Sequence, residues 1–291
     1  MKLPAFDYAC PRTLEEATAL LAEACGDAKV IAGGQSLLPF MAFRLAAPGL
    51  LVDLRKIAGL TGIEVGDEEI RLGAMVRWRD ILDSAALAHA LPLLPAAIGH
   101  VAHYQIRNRG TLGGSLAHAD PASEFPCIAV LCGASVDVVG AGGRRTLPAG
   151  DLIAGPMETT LGDDEIIVAV RFPRWPEGRR WAFDEFALRH GDLAIAAVAA
   201  CYDMDGPHIA NARVAVMGAT DTPQRVPEAE DALNGRAPGD DTFGTAAEAA
   251  SAAIEPTEDL HAGAAYRRAL VGTLLRRGLR ASCTRQREAA E

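Results

Sequence analysis

Apolar positions along this chain change their spacing several times, and each change marks an element. Residues 14–25 (LEEATALLAEAC) carry leucine and alanine at i, i+3 and i+4 intervals, the spacing of one buried helix face. Thr13 and Glu16 form a capping box ahead of that run: the threonine hydroxyl accepts from the Glu16 N–H, and the glutamate reaches back. The helix is predicted to stop near Gly26. Lys29, Val30 and Ile31 then read as a short buried strand that runs into AGGQSLLP at 32–39. A helix capped by Ser36 is predicted to reach residue 45, with a strand following at 50–54. That order makes a small βαβ-like unit with a glycine loop at the carboxyl end of its first strand, where open α/β sheets bind ligands.

From residue 61 the pattern predicts a strand at 69–74 and helices at 78–89 and 93–102. A second glycine-rich segment, RNRGTLGGSLAHADPASEFP, occupies 107–126. A helix over 121–133 and strands at 135–139 and 165–172 follow. Turn formers concentrate in PRWPEG at 173–178, which marks a domain boundary. Beyond it come strands at 183–188, 195–202 and 212–217, then helices at 228–233, 245–254 and 264–279. Strands first and helices afterwards predict an α+β unit. The expected division is 1–60 and 61–175 as two parts of one binding domain, 179–283 as a carboxyl-terminal α+β domain, and 284–291 as a disordered tail.

Composition adds limits rather than chemistry. At 291 residues the chain exceeds a single compact core, and 49% apolar with 23% charged residues is an ordinary globular profile. No apolar run is long enough to span a bilayer, and MKLPAFDYACP lacks the apolar core of an export signal. A cytoplasmic location is expected, with membrane association only through a complex. A formal charge of −10 argues against nucleic-acid binding. Arg267, Arg268, Arg276, Arg277, Arg280, Arg285 and Arg287 nevertheless follow one another without an acid between them. They read either as a solvated helix face or as a docking surface for an acidic partner. The six cysteines form no CxxC, no zinc-ligand spacing and no close group of four for an iron–sulfur cluster, so they read as small buried hydrophobes in a reducing compartment.

The chemistry lies in the glycine segments. Gly33-Gly34 and Gly113-Gly114 are each followed by a hydroxyl residue one or two places on, Ser36 and Ser115. Glycine pairs let the backbone turn through positive φ and approach a ligand closely. Such turns can aim several N–H groups into one concavity suited to phosphate, and two of them suggest a diphosphate held from both sides. The alternative is a pair of plain tight turns. Neither the G-x-G-x-x-G fingerprint nor a Walker A lysine is present, so the Rossmann and P-loop solutions are excluded. Hydrogen bonds from several amides to a charged acceptor, at about 1.5–3 kcal/mol each, can replace that lysine. His100, His103 and His118 lack the thiol or carboxylate that would complete a metal set. Arg107 and Arg109 either brace the loop or neutralise a pyrophosphate. Asp120 caps the turn before Pro121, and Trp175, Trp181 and Phe183 read as packing residues.

Taken together, AGGQSLLP, FRLAAPGLLVDLR and RNRGTLGGSLAHADPASEFP resemble the flavin-carrying medium subunit of the molybdenum hydroxylases, a family that includes carbon monoxide dehydrogenase, quinoline 2-oxidoreductase and the flavin domain of xanthine dehydrogenase. RHGDLA at 189–194 resembles the family's R-x-G-D-x-A segment, and EPTED at 255–259 followed by AYR at 265–267 resembles its carboxyl-terminal signature. The resemblance implies an α+β fold: a two-part FAD-binding domain of the vanillyl-alcohol-oxidase type, then a domain of three antiparallel strands and a helix bundle. It implies non-covalent FAD, with Ala32, Gly33, Gly34, Gln35, Ser36 and Leu37 and with Thr111, Gly113, Gly114, Ser115 and Ala117 around the pyrophosphate. Glu124 falls at the adenosine side, Ile167 where an aliphatic residue touches the flavin, and Leu193 where some relatives carry an aromatic ring. No residue of this chain is implied as a catalytic acid or base. The implied partners are a molybdopterin-binding large subunit and a [2Fe–2S] small subunit, in a dimer of heterotrimers, with this chain passing electrons to an external acceptor. Two other readings are a self-contained FAD oxidoreductase using NAD(P)H and a non-redox nucleotide-binding assembly subunit.

Overall fold

The computed structural model describes residues 2–290, excluding the side chains of 285–290. The first unit holds β1 (Asp7–Ala9), α1 (Leu14–Glu23), β2 (Ala28–Ile31), α2 (Leu37–Ala42) and β3 (Leu50–Asp53). Its strands are parallel in the order β1-β3-β2. Thr13 Oγ1 accepts from the Glu16 N–H at 3.1 Å, as the capping box requires. Glu16 reaches back to the N–H of Arg12, at 2.8 Å, rather than to that of Thr13. α2 ends at Ala42, short of the expected residue 45, because Arg44 turns left-handed at φ +64°. Ser36 precedes it without a capping bond.

The second unit runs through β4 (Ile63–Val65), β5 (Glu69–Gly73), α3 (Trp78–Leu82), α4 (Ala85–Ala90), α5 (Leu93–Ile98), α6 (Tyr104–Arg107), α7 (Leu112–His118) and α8 (Glu124–Cys132). It continues with β6 (Ser135–Gly140), β7 (Gly143–Pro148), α9 (Ala149–Leu152), β8 (Ile153–Gly155), β9 (Glu158–Thr159) and β10 (Ile166–Pro173). The main sheet has the order β4-β5-β10-β6-β7 with antiparallel neighbours. Apolar β10 sits at its centre. Edge strand β7 (GRRTLP) escaped the sequence reading because it is exposed apart from Leu147, and so shows no apolar alternation. The helix expected at 78–89 is two helices. Ser84 starts the second, its hydroxyl accepting from the Leu87 N–H at 3.3 Å, so a capping preference outweighs the continuous periodicity.

The third unit holds β11 (Arg180–Phe186), β12 (Ala196–Asp205), β13 (His208–Met217), β14 (Gln224–Arg225), α10 (Pro227–Leu233), α11 (Asp240–Ala253) and α12 (Ala264–Ala290). The sheet has four strands, in the order β11-β12-β13-β14, rather than the expected three. The added β14 is two residues long, below what a sequence pattern can register. β12 is rich in alanine, and both of its faces are buried. Ala197, Ala199 and Cys201 join the core of the second unit, while Ala196, Val198, Ala200 and Tyr202 pack with the helices. Small side chains thus let one sheet share two cores. Trp175 is buried in the first of these cores, and Trp181 and Phe183 pack against it.

Of the arginines of α12 whose side chains are described, only Arg267 is buried; the other four are exposed and bonded to acceptors within the chain. Arg268 donates to the Ile254 carbonyl, Arg276 and Arg280 pair with Asp240, and Arg277 pairs with Asp184. Arg267 is buried. Four of the five thus lie on a solvated helix face, three of them beside acids of this chain, and the side chains of Arg285 and Arg287 lie outside the described residues. Of the tail expected at 284–291, the backbone of 284–290 continues α12, and Glu291 lies outside the described residues. No helix among the described residues is long and apolar enough to cross a membrane.

Candidate functional site

The first glycine loop leaves the carboxyl end of β2 and lies directly on the second glycine segment. A Cβ on Gly33 would stand 2.2 Å from the Arg109 carbonyl oxygen and 2.9 Å from Gly110 Cα. Gly34 takes φ +71°, which turns the chain into α2. The Gln35 side-chain amide donates to the Gly33 carbonyl at 3.0 Å and holds that turn. Among the described residues, the N–H groups of Gly33, Gly34, Gln35 and Ser36 have no backbone or side-chain acceptor, and the Ser36 hydroxyl makes no capping bond. Four successive unpaired amides around a left-handed residue form an anion-binding concavity.

The second loop is not an equivalent cradle. Thr111 starts α7 and its buried hydroxyl accepts from the Gly114 N–H at 3.3 Å. The Leu112 and Gly113 N–H groups donate to Val76 and Ala74 at 3.1 and 2.9 Å, and that of Ser115 to Thr111 at 3.0 Å. These amides fix the loop to the chain leaving β5. Its glycines instead permit approach: a Cβ on Gly113 would stand 2.6 Å from Ala74 Cβ, and one on Gly114 would stand 3.8 Å from Ala32 Cβ. The first loop thus offers amides, and the second a close wall with the Ser115 hydroxyl. Ala117 is exposed further along α7. Arg107 takes the bracing role, donating to the Val101 and Ala102 carbonyls at 2.9 Å each. Arg109 supports Gly33 through its backbone, its side chain being exposed.

Beyond α7 the chain turns at Ala119 (φ +49°), and Asp120 Oδ1 accepts from the Ala122 N–H at 2.9 Å. Phe40 of α2 meets His118 edge-on at 4.9 Å and ties the first unit to this turn. A cavity of about 620 Å³ opens beside it, lined by Met157, Leu188, Leu193, Ile195 and Arg267 among others. Leu193 is 65% exposed on this wall. Gly191 packs onto the Ala102 carbonyl and the His103 ring; a Cβ there would stand 2.7 Å from the Ala102 carbonyl oxygen. Arg267 is 3% exposed and donates to the Ile195 and Gly218 carbonyls at 2.6 and 2.5 Å and to Asp259 at 2.6 Å. Ile167 is buried in β10 at the start of a β-bulge and is absent from that cavity's lining.

Glu124 opens α8 with its side chain buried. Burial, then the charges of Glu185 and Asp120, push its carboxyl up to about 8. Glu185 of β11 is raised to about 7 by burial and then by Asp184. Its Oε2 is buried with no partner, and its Oε1 is 3.9 Å from His100 Nδ1. Sequence reasoning missed Glu185, although a signal was present. Trp181, Phe183 and Glu185 alternate along one strand, so a carboxylate occupies an inward position.

Carboxyls raised above their usual value of 4.5 favour the folded state at low pH and lose that contribution as pH rises through the folded value. The flavin-free chain is therefore expected to melt at a lower temperature at pH 8 than at pH 6, values chosen on either side of about 7. The Glu124→Gln and Glu185→Gln substitutions should each flatten that slope. Thermal unfolding across pH measures it; equal slopes in all three proteins would refute this assignment.

A flavin dinucleotide fits these residues. The unpaired amides suit its diphosphate, and Gly33 and Gly114 keep the floor free of side chains.

Comparison with known proteins agrees with this chemistry. Residues 4–175 match the FAD binding domain in molybdopterin dehydrogenase, and residues 181–282 match the CO dehydrogenase flavoprotein C-terminal domain. The chain is 46% identical to the nicotine 6-hydroxylase medium subunit of Paenarthrobacter nicotinovorans, over 95% of this chain and 97% of that one. It is 36% identical to the carbon monoxide dehydrogenase medium chain of Hydrogenophaga pseudoflava, over 97% and 98%. Among solved structures, quinoline 2-oxidoreductase from Pseudomonas putida 86 superposes with a TM-score of 0.93 at 38% identity, covering 98% of this chain and 99% of that one. The chain belongs to the FAD-binding flavoprotein family of the molybdopterin dehydrogenases.

Proposed function

We propose, from that membership, that this chain is the FAD-carrying electron-transfer subunit of a molybdenum-containing hydroxylase. In this reading a molybdopterin-binding large subunit oxidises the substrate and a [2Fe–2S] small subunit relays the electrons. The present chain then passes them to an external acceptor. The complex is a dimer of heterotrimers in the cytoplasm. When bound, non-covalent FAD supplies the exchange between one-electron and two-electron carriers. The residues of this chain bind and orient it. Ala32 to Leu37 hold the diphosphate through the amides of Gly33, Gly34, Gln35 and Ser36, while Thr111, Gly113, Gly114, Ser115 and Ala117 close the other side. Glu124 and Ile167 contact the cofactor from the interior, and Leu193 borders the cavity on the carboxyl-terminal side. Arg267 keeps that wall in place through three acceptors.

The observation that carries the reading is the row of unpaired amides pressed against the second glycine segment. Purification of the complex from its native host tests it. A yellow complex with two further subunits, molybdenum and iron is expected, releasing FAD into the supernatant on boiling. A colourless lone chain would refute it, and so would an isolated chain whose flavin is bleached directly by NADPH.

A further inference from the structure

Gly110, the glycine that precedes the Gly113-Gly114 pair, takes part in two tight contacts. A Cβ on Gly33 would stand 2.9 Å from Gly110 Cα. A Cβ on Gly110 itself would stand 2.7 Å from Nε1 and 2.9 Å from Cδ1 of the Trp78 indole, at the start of α3. The Ile106 carbonyl oxygen limits the same space at 3.2 Å. Gly33, Gly110 and the Trp78 indole therefore touch in succession, with no side chain between them. Resting on the FAD reading above, we propose that Trp78 is a positioning residue of the diphosphate site. Its indole fixes where the second glycine segment lies. Through Gly110 and the Arg109 carbonyl, it fixes where the amides of the first loop point.

Trp78 is anchored on both sides. It is 4% exposed, and its backbone N–H donates to the Gly110 carbonyl at 3.2 Å. Arg77 and Thr111 pair as an antiparallel bridge, and the Leu112 and Gly113 N–H groups donate to Val76 and Ala74. The chain leaving β5 and the second glycine segment thus run side by side from residue 74 to residue 113. The indole meets Phe125 of α8 with ring centroids 5.5 Å apart, and Phe125 meets Phe172 of β10 edge-on at 6.1 Å. An aromatic column therefore joins the glycine segment to the central strand of the second unit's sheet. Close-packed interiors pass a displacement on rather than absorb it. Glycine at 110 has no side chain that could take up the difference. A change in the shape of the indole is then felt at Arg109 and at Gly33, which lies on it. The same contact accounts for a third glycine in this segment: Gly110 makes room for Trp78, as Gly113 does for Ala74.

Packing and positioning make different demands. If Trp78 only fills the core, its replacement lowers stability and leaves the affinity for FAD unaltered. If it positions the loops, affinity falls as well, and the loss is relieved when the missing volume is restored from the glycine side.

The test is a double-mutant cycle on the full chain in its purified complex. The dissociation constant for FAD is measured after removal and re-addition of the cofactor, and the melting temperature on the flavin-free samples. Trp78→Phe removes the pyrrole ring that meets Gly110 and keeps an aromatic ring for Phe125. It should weaken FAD binding about tenfold, as a modest change of shape in a packed site does. Gly110→Ala, which drives a methyl group into the indole, should weaken it by about tenfold or more. Each change makes room for the other, so the double variant should bind FAD about tenfold more tightly than Gly110→Ala alone, a coupling within the range for touching residues. Additive losses would overturn the proposal. So would a fall in melting temperature in Trp78→Phe with its FAD affinity unaltered. Should Trp78→Phe not fold, Gly110→Ala decides: weakened FAD binding supports the positioning role, and unaltered binding overturns it. An unsubstituted complex without FAD would overturn the functional reading itself.

Discussion

Replacing Gly33 by alanine is expected to lower bound FAD to below about a tenth of its level in the unsubstituted protein. The added Cβ would stand 2.2 Å from the Arg109 carbonyl oxygen and 2.8 Å from its carbon. Both are backbone atoms of the second glycine segment, so no side chain can swing aside. The two loops must part by roughly an ångström, and overpacking of that kind costs about 1–3 kcal/mol. The larger effect falls on the ligand, because the same shift misdirects the four amides assigned to the diphosphate. Gly142→Ala is the matched control, since nothing lies within 4 Å of its added Cβ. Flavin absorbance per protein, measured after purification, reads the outcome. Full occupancy in Gly33→Ala would show that the loops do not form the diphosphate site.

The second large effect is expected at Arg267. Its guanidinium links the Ile195 carbonyl, the Gly218 carbonyl and Asp259, which belong to three separate stretches of chain. Alanine there leaves two buried carbonyls and a carboxylate without their charged donor. Each loss is on the order of 1–3 kcal/mol, the least at Asp259, which is half exposed and keeps two backbone donors. Arg267→Ala should therefore destabilise the third unit by about 3 kcal/mol, a fall in melting temperature of about 10 °C. Arg267→Lys should recover little, because one ammonium cannot reproduce the planar fork across three acceptors. Asp240→Ala, which removes the exposed pairs with Arg276 and Arg280, should lower the melting temperature far less, because solvent screens those pairs. Equal effects at the two positions would mean that Arg267 is no more than a surface cation.

The difference between these arginines shows where the sequence was silent. As a string, Arg267, Arg276, Arg277 and Arg280 were alike, and a docking surface was a fair reading. Folding separates them by their helix faces: Arg267 turns inward to the loops, while the others meet Asp240 and Asp184. The glycine segments divide similarly. Both looked like amide cradles, yet only the first keeps its amides free. The second uses Gly113 and Leu112 to join the chain at Ala74 and Val76, partners distant in sequence. Glu185 was overlooked because a glutamate in a strand is ordinarily solvated. Its burial depends on the second unit packing against that face of β11.

What the sequence determined by itself was local or compositional. Periodicity located most longer helices and strands, glycine pairs marked the two loops proposed to hold the ligand, and motif order placed the chain in its flavoprotein family. Absent cysteine clusters limited the metal chemistry expected of it. Short strands such as β1, β8 and β14 have too few residues to show a period, and they form because neighbours offer backbone partners. The tertiary structure alone decided which amides stay unpaired, which arginine is buried, and that Glu124 and Glu185 are buried. Hydrogen-bond satisfaction and desolvation are set by contacts between segments far apart along the chain, and a one-dimensional pattern does not contain those distances.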